Sequence, residues 1–313
     1  PNNSTVAGRP LVALTFALDY AAGELSPFGY HVGNILLHAL SVCVLLGLVR
    51  RTLLRCGWEP RRALGVGACT AALWAVHPLQ TESVAYVVQR TELLVSLCFL
   101  GVLYGLMRAV GSPRPRGWMA LAVACAWAGV FSKENMVGAP LAALLWDRAF
   151  AAGSWAETWR QRGRLHLAIV SSWLPLAWLV SGGHREASVG VDHGVSPWAW
   201  LLTQSEVLLH YLRLTLWPDP LVISYDWPVA EGLNDVWPAA LAASALVLGA
   251  CLLTWRRPRA GFAAMAALFV LAPTTSVVPI VTEVAAERRM YLPLAAVCLG
   301  ASLLVDALAR RAA

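Results

Sequence analysis

Long apolar stretches alternate with short, arginine-bearing polar ones along most of this chain. Segments 31–49, 63–79, 91–108, 118–132, 136–150, 165–181, 238–255, 260–281 and 290–308 each read as a helix able to cross hydrocarbon about 30 Å thick. A further segment, 197–217, is of another kind. Its Thr203, Glu206, His210 and Arg213 fall on one helical stripe, which predicts an amphipathic helix lying in the interface or lining a wet cavity. The expected fold class is all-α: a polytopic membrane helical bundle of nine spans plus one amphipathic helix. Residues 1–313 form a single membrane domain in this reading. An outer segment with a short helix occupies 1–30, six spans fill 31–181, an outer loop and the amphipathic helix take 182–237, and three spans close 238–313.

Composition narrows the class. The 313 residues are 58% hydrophobic and only 13% charged, with a mean hydropathy of +0.60, which excludes most soluble folds and intrinsic disorder alike. The formal charge is +6, and of 24 basic residues Lys133 is the one lysine. Arginine usage of this kind, with abundant Ala and Gly, points to a GC-rich bacterial genome and hence to a bacterial inner (plasma) membrane. A basic chain can bind nucleic acid, but these arginines lie between apolar spans, the pattern of membrane topology, so no nucleic-acid partner is expected.

With the N-terminus outside and 197–217 not crossing, the inner loops hold 17 basic and 4 acidic residues, against 7 and 14 outside. Letting 197–217 cross would move Arg256, Arg257 and Arg259 outside. The unusual polar residues therefore gather toward the outer face, where polar groups at membrane depth tend to mark a site. The seven cysteines form no CxxC pair and read as small hydrophobes.

Four constellations carry candidate chemistry. YHVGNILLH places His31, Asn34 and His38 on one helical face, as a polar strip toward a substrate cavity or as interhelical hydrogen-bonding groups. A metal at His31 and His38 would need a third ligand that cannot be assigned, so neither metal nor cofactor is expected. HPLQTESVAYVVQRTELL follows: Pro78 stops one helix, Thr81 caps the next, and Glu82, Tyr86, Gln89 and Arg90 share a face of it, with Glu92 nearby. Lys133, in SKEN, is a compact positive charge suited to a phosphate, or else one half of a surface pair with Glu134. TEVAAERRMYLP brings Glu287, Arg288 and Arg289 to the outer end of the last span, where a guanidinium fork suits a lipid phosphate or anchors to headgroups.

Together, RPL at 9–11, YHxxNxxxH at 30–38, HPxxTExV at 77–84, SKE at 132–134 and ERRMYLP at 287–293 give the chain its family likeness. In this order they resemble the membrane region of the transmembrane tetratricopeptide-repeat O-mannosyltransferases and their bacterial relatives, of the GT-C glycosyltransferase class. SPWAWLLTQSEVLLHYLRLTLWPDPLVISYDWP resembles a later segment of the same region, so the likeness covers nearly the whole chain. It implies a GT-C-like bundle that transfers a sugar, mannose in that family, from a polyprenyl-phosphate carrier to a hydroxyl of a protein or glycan acceptor on the outer or lumenal face. An acidic residue acts as base and basic residues stabilise the departing lipid phosphate. Carried onto this sequence, Arg90, Lys133 and Arg288 would contact the phosphate, and His31, Asn34, His77 and Glu82 would line the sugar or acceptor cavity. The family's catalytic acid is expected before Pro1 and its tetratricopeptide repeats beyond Ala313, so this chain is expected to be an incomplete piece. Asp19 corresponds to an ordinary family position. A transporter or flippase for a lipid-linked substrate is the competing reading, but it calls for repeat symmetry between halves. A membrane scaffold would leave the polar stripes unexplained.

Overall fold

The computed structural model describes residues 8–181, 194–275, 279–280 and 283–312, and their regular elements are helices. In order these are α1 (Pro10–Gly23), α2 (Pro27–Arg55), α3 (Pro60–Val76), α4 (Thr81–Ala85), α5 (Arg90–Gly111), α6 (Pro115–Val130), α7 (Ala139–Asp147), α8 (Trp155–Val170), α9 (Trp173–Ser181), α10 (Pro197–Leu216), α11 (Leu233–Arg256), α12 (Pro258–Thr275) and α13 (Leu294–Ala312). Helices α1, α2, α3, α6, α10 and α12 begin on a proline. Proline is favoured there because its fixed φ suits a helix and its missing N–H would have been an orphan donor.

Among the described residues three helical stretches are long and apolar enough to cross a membrane: Pro27–Arg55, Val87–Gly111 and Leu233–Arg256. They differ in what surrounds them. The most apolar window of Val87–Gly111 is 72% buried inside the protein, and that of Leu233–Arg256 only 17%. Helix α5 is thus the central post, with Leu93, Val102 and Leu106 fully enclosed by its neighbours α2, α6 and α7. Helix α11 leaves Leu241, Leu248 and Trp255 exposed, which is stable only against an apolar solvent. The molecule is an integral membrane protein by this measure.

Several expected segments are built differently. The 165–181 stretch is two helices, because α8 turns at Ser171 and Ser172 before α9 begins; Trp127 of α6 donates its indole N–H to Ser171 Oγ at 3.2 Å. The 136–150 stretch is a 3-10 turn (Glu134–Gly138), then α7, then a π-turn (Arg148–Ala152) that ends at Gly153 with φ 82°. The 260–281 segment is helical as far as Thr275; residues 276–278 and 281 fall outside the described residues, as do 1–7 of the outer segment and 182–193 of the outer loop. Gly138 is required sterically, since a Cβ there would lie 2.4 Å from the Phe269 carbonyl oxygen of α12.

Candidate functional site

The run from His77 to Glu92 is the largest local departure from expectation. It is not one helix face but a chain of short turns: a 3-10 turn at Pro78–Gln80, then α4, then another 3-10 turn at Val87–Gln89. Thr81 caps nothing; its hydroxyl donates back to the Pro78 carbonyl at 2.7 Å. Tyr86 is extended (ψ 106°), which breaks the helix and sends Glu82 and Arg90 to different neighbours.

Arg90, 2% exposed, points into the angle between α1 and α2. Its Nε donates to Asn34 Oδ1 at 2.8 Å, its Nη2 to the Tyr30 carbonyl at 2.8 Å, and its Nη1 pairs with Asp19. The guanidinium carbon also lies 4.7 Å from the Phe16 ring centroid. Gly33 leaves room for this seat, since a Cβ would stand 2.9 Å from Arg90 Nη2. Asn34 completes the clamp by donating to the Val84 carbonyl at 3.2 Å.

Lys133 and Arg288 meet elsewhere. Lys133, buried, pairs with buried Glu92 rather than with Glu134, which lies 3.7 Å from Arg9. Burial holds the Lys133 ammonium below the ordinary lysine range, against the pull of Glu92. Arg288 is held between two carboxylates. Its backbone N–H donates to Glu82 Oε2 at 2.8 Å and its guanidinium pairs with Glu82 on the inner side and with Glu283 on the other. Burial pushes the Glu82 carboxyl up despite Arg288. Burial acts the same way on Glu283, but there Arg288 wins and the carboxyl lies below its usual range. The side chain of Glu82 is 6% exposed and that of Glu283 49%, so Arg288 has one enclosed and one open partner.

Surrounding residues fix this arrangement. Arg289 donates to the Val284 carbonyl at 3.0 Å and to that of Glu283. Glu287 accepts from the Val222 N–H at 2.6 Å and the Tyr225 hydroxyl at 2.7 Å. Tyr211 Oη accepts from Ala286 N–H at 2.8 Å. The Nδ1 of His77 accepts from the Leu79 N–H at 3.2 Å, so its ring proton sits on Nε2 and faces the Thr215 carbonyl at 3.2 Å. His38 is bound to the Tyr291 hydroxyl (2.8 Å) and the Ala75 carbonyl (3.1 Å), which makes it an interhelical tie. His31, half-buried, makes no side-chain hydrogen bond among the described residues.

Helix α10 lies close to the same loop along much of its length, through Gln204 to the Val284 carbonyl, Tyr211 to Ala286 and Thr215 to His77. Its polar stripe holds the 219–230 loop: Thr203 Oγ1 accepts from Ala230 N–H at 2.9 Å, His210 packs 5.0 Å from the rings of both Tyr225 and Trp227, and Arg213 donates to the Asp219 carbonyl at 3.0 Å. The acidic residues Asp219, Asp226, Glu231 and Asp235 are exposed, as a solvated loop requires.

A small cleft of about 10 Å³ beside this cluster, room for about one water, is lined by Glu92, Ser96, Asn135 and Arg289, with Phe99, Val270 and Leu292 as its apolar wall. Those three residues also line a larger apolar groove of about 470 Å³, open along one side, between α2 and α5 on one side and α12 and α13 on the other. Among the described residues no group of three or more His, Cys, Asp or Glu side chains is placed to hold a metal ion. Lys133 and Arg288 lie in one cluster, as the motifs predict, whereas Arg90, expected with them at the phosphate, lies in its own clamp with Asp19 and Asn34. Asp19, the partner of Arg90, has as its sequence signal a single charge in the apolar run PLVALTFALDYAAG.

The arrangement defines an integral membrane helical protein with buried cation–carboxylate pairs gathered at one end and an apolar groove adjoining them. The chain is 33% identical over 252 residues to protein O-mannosyl-transferase Tmtc2 of Drosophila melanogaster, covering 76% of this chain and 26% of that protein. It is 41% identical over 129 residues to Tmtc3 of the same organism (36% and 14%) and 36% identical over 150 residues to human TMTC4 (43% and 20%). The chain belongs to this family of transmembrane O-mannosyltransferases, and it spans about a quarter of the length of Tmtc2. No family model and no solved structure matches it.

Proposed function

We propose that the protein containing this chain is a glycosyltransferase that moves a sugar, mannose, from a polyprenyl-phosphate carrier to a hydroxyl of a protein or other acceptor. The bond from the sugar's anomeric carbon to the carrier phosphate breaks, and a bond from that carbon to the acceptor oxygen forms. The acceptor proton passes to a carboxylate base, which we assign to a part of the protein outside these residues. The observation that carries the reading is Arg288, held from inside by buried Glu82 and from outside by half-exposed Glu283, with Lys133 in the same cluster. Glu283 occupies the side an incoming phosphate would take, so exchange of one anion for another presents the guanidinium fork to the leaving group. The names of the relatives support the transfer chemistry.

In this reading the isoprenoid tail lies in the apolar groove that shares Phe99, Val270 and Leu292 with the small cleft. Arg90 positions α1 against α2 through Asp19 and Asn34, His31 and His77 face the sugar or acceptor cavity, and Glu82 acts from behind it by holding Arg288. The helices form nine spans of a bacterial inner membrane, with the Lys133 end outside. The test is release of polyprenyl phosphate from a polyprenyl-phosphate mannose donor by membranes carrying the complete protein. Unchanged turnover in folded Lys133→Ala and Arg288→Lys variants would remove those residues from the reaction. Sugar movement across the membrane without bond cleavage would replace the transferase with a transporter.

A further inference from the structure

The other end of the bundle concentrates charge without neutralising it. The last turns of α2 and α5 flank an open pocket of about 270 Å³, lined by Arg51, Leu54, Arg55, Met107, Arg108 and Gly111. Three of these six residues are arginines and none is acidic. Three other arginines at this end are matched: Arg62 forks onto Asp306 at 2.7 and 2.6 Å, Arg162 onto Asp147 at 2.7 and 2.6 Å, and Arg160 onto Glu157 at 2.8 Å.

In the pocket, Arg108 donates to the Tyr104 hydroxyl at 3.2 Å and stacks over Trp118 at 4.0 Å, and Arg55 lies 5.9 Å from the Trp146 ring centroid. Aromatic faces hold guanidinium planes in place and leave their charge intact. Arg51 is half-buried and makes no side-chain hydrogen bond or ion pair among the described residues. A helix C-terminus favours one cation, and topology is served equally well by exposed arginines such as Arg61. Neither accounts for three arginines lining one hollow, where like charges repel each other unless an anion lies between them. Leu54 and Met107 add an apolar wall, and both flanking helices belong to the stretches able to cross a membrane, so the pocket opens where headgroups lie.

We propose that this pocket binds the phosphate of an anionic phospholipid headgroup in the inner leaflet. Arg51 and Arg55 supply charge, Arg108 supplies a fork fixed by Tyr104 and Trp118, and Leu54 with Met107 meets the start of the acyl chains. The site depends on the arginine-rich end facing inward and is independent of the transfer reaction.

The test measures binding of phosphatidylglycerol, phosphatidylcholine and inorganic phosphate to the purified complete protein, by native mass spectrometry and by shift of its unfolding temperature. Wild type is expected to retain one phosphatidylglycerol in preference to phosphatidylcholine. Arg51→Gln is expected to weaken that binding about fivefold. Arg55→Gln, at an exposed position with little bearing on folding, should act in the same direction. Arg61→Gln, which removes the same charge from an exposed site outside the pocket, should change it less than about twofold. Equal binding of the two lipids to wild type overturns the proposal, as does an effect of Arg61→Gln as large as that of Arg55→Gln. Inorganic phosphate binding that Arg51 and Arg55 govern, without any lipid preference, would assign the pocket to a free anion and overturn the lipid.

Discussion

Asp147 and Glu82 are both buried carboxylates held by arginine, one at each end of the bundle, and their surroundings differ in kind. Asp147 receives a two-pronged fork from Arg162 at 2.7 and 2.6 Å and the His166 ring nitrogen at 2.7 Å, from partners 15 and 19 residues further along the chain. Glu82 takes both the backbone and the guanidinium of Arg288 from 206 residues away, and the same guanidinium reaches half-exposed Glu283. The first knot is closed: every charge in it has an enclosed partner. The second has an open side, and a buried charge with one replaceable partner can take a ligand where a closed one only holds helices together.

The largest effect expected from this contrast is on turnover. Lys133→Ala in the complete protein should lower kcat on the order of a hundredfold if the ammonium meets the leaving phosphate. Asp147→Asn should behave in the opposite way, costing about 3 kcal/mol of stability because it leaves the largely enclosed Arg162 without its counter-charge. Turnover per folded molecule should stay within about twofold. A fall in kcat there, normalised to folded protein, would break the comparison. Gly33→Ala drives a methyl group to within 2.9 Å of Arg90 Nη2 and should cost about 1–3 kcal/mol, read as a lower unfolding temperature. Tyr291→Phe removes the hydroxyl bound to His38 and should cost about 1 kcal/mol.

The smallest effect concerns Glu59, whose carboxylate accepts the N–H groups of Arg61 and Arg62 at 2.9 Å each and is thereby held below its ordinary range. A carboxylate lowered on folding adds stability above its unfolded pKa and loses it as pH falls through the folded value. Wild type should therefore lose its small advantage over Glu59→Gln on acidification, as paired unfolding curves would record.

Which parts were legible follows from what each signal measures. Apolar periodicity reports burial or lipid contact, so α2, α5 and α11 fall within or around the segments read for them. It is blind to a turn made of serines inside a hydrophobic stretch, and Ser171 and Ser172 divide α8 from α9 there. Helical phasing also assumes that a helix continues. Tyr86 breaks it, so Glu82 and Arg90, placed on one face by spacing, serve separate clusters. The polar stripe of α10 is real, but spacing alone cannot say that Thr203, His210 and Arg213 face a loop instead of water. Motif by motif, Lys133, Glu82 and Arg288 were each visible. That Lys133 would pair with Glu92 rather than Glu134, and Arg90 with Asp19, depends on how helices far apart in the chain come together.

The bond between Glu82 and Arg288 has a consequence for biogenesis. At cellular synthesis rates the 206 residues from Glu82 to Arg288 along the chain take roughly 10–40 s to emerge. Throughout that interval α3, α4 and α5 must be accommodated at the translocon with the carboxyl of Glu82 still lacking its guanidinium. The same holds for Glu92 until Lys133 arrives, though for only 41 residues. The C-terminal helices therefore act as the latch of assembly: a nascent chain arrested before residue 288 carries an acid whose counter-charge has not arrived, a defect that distinguishes an unfinished bundle from a finished one.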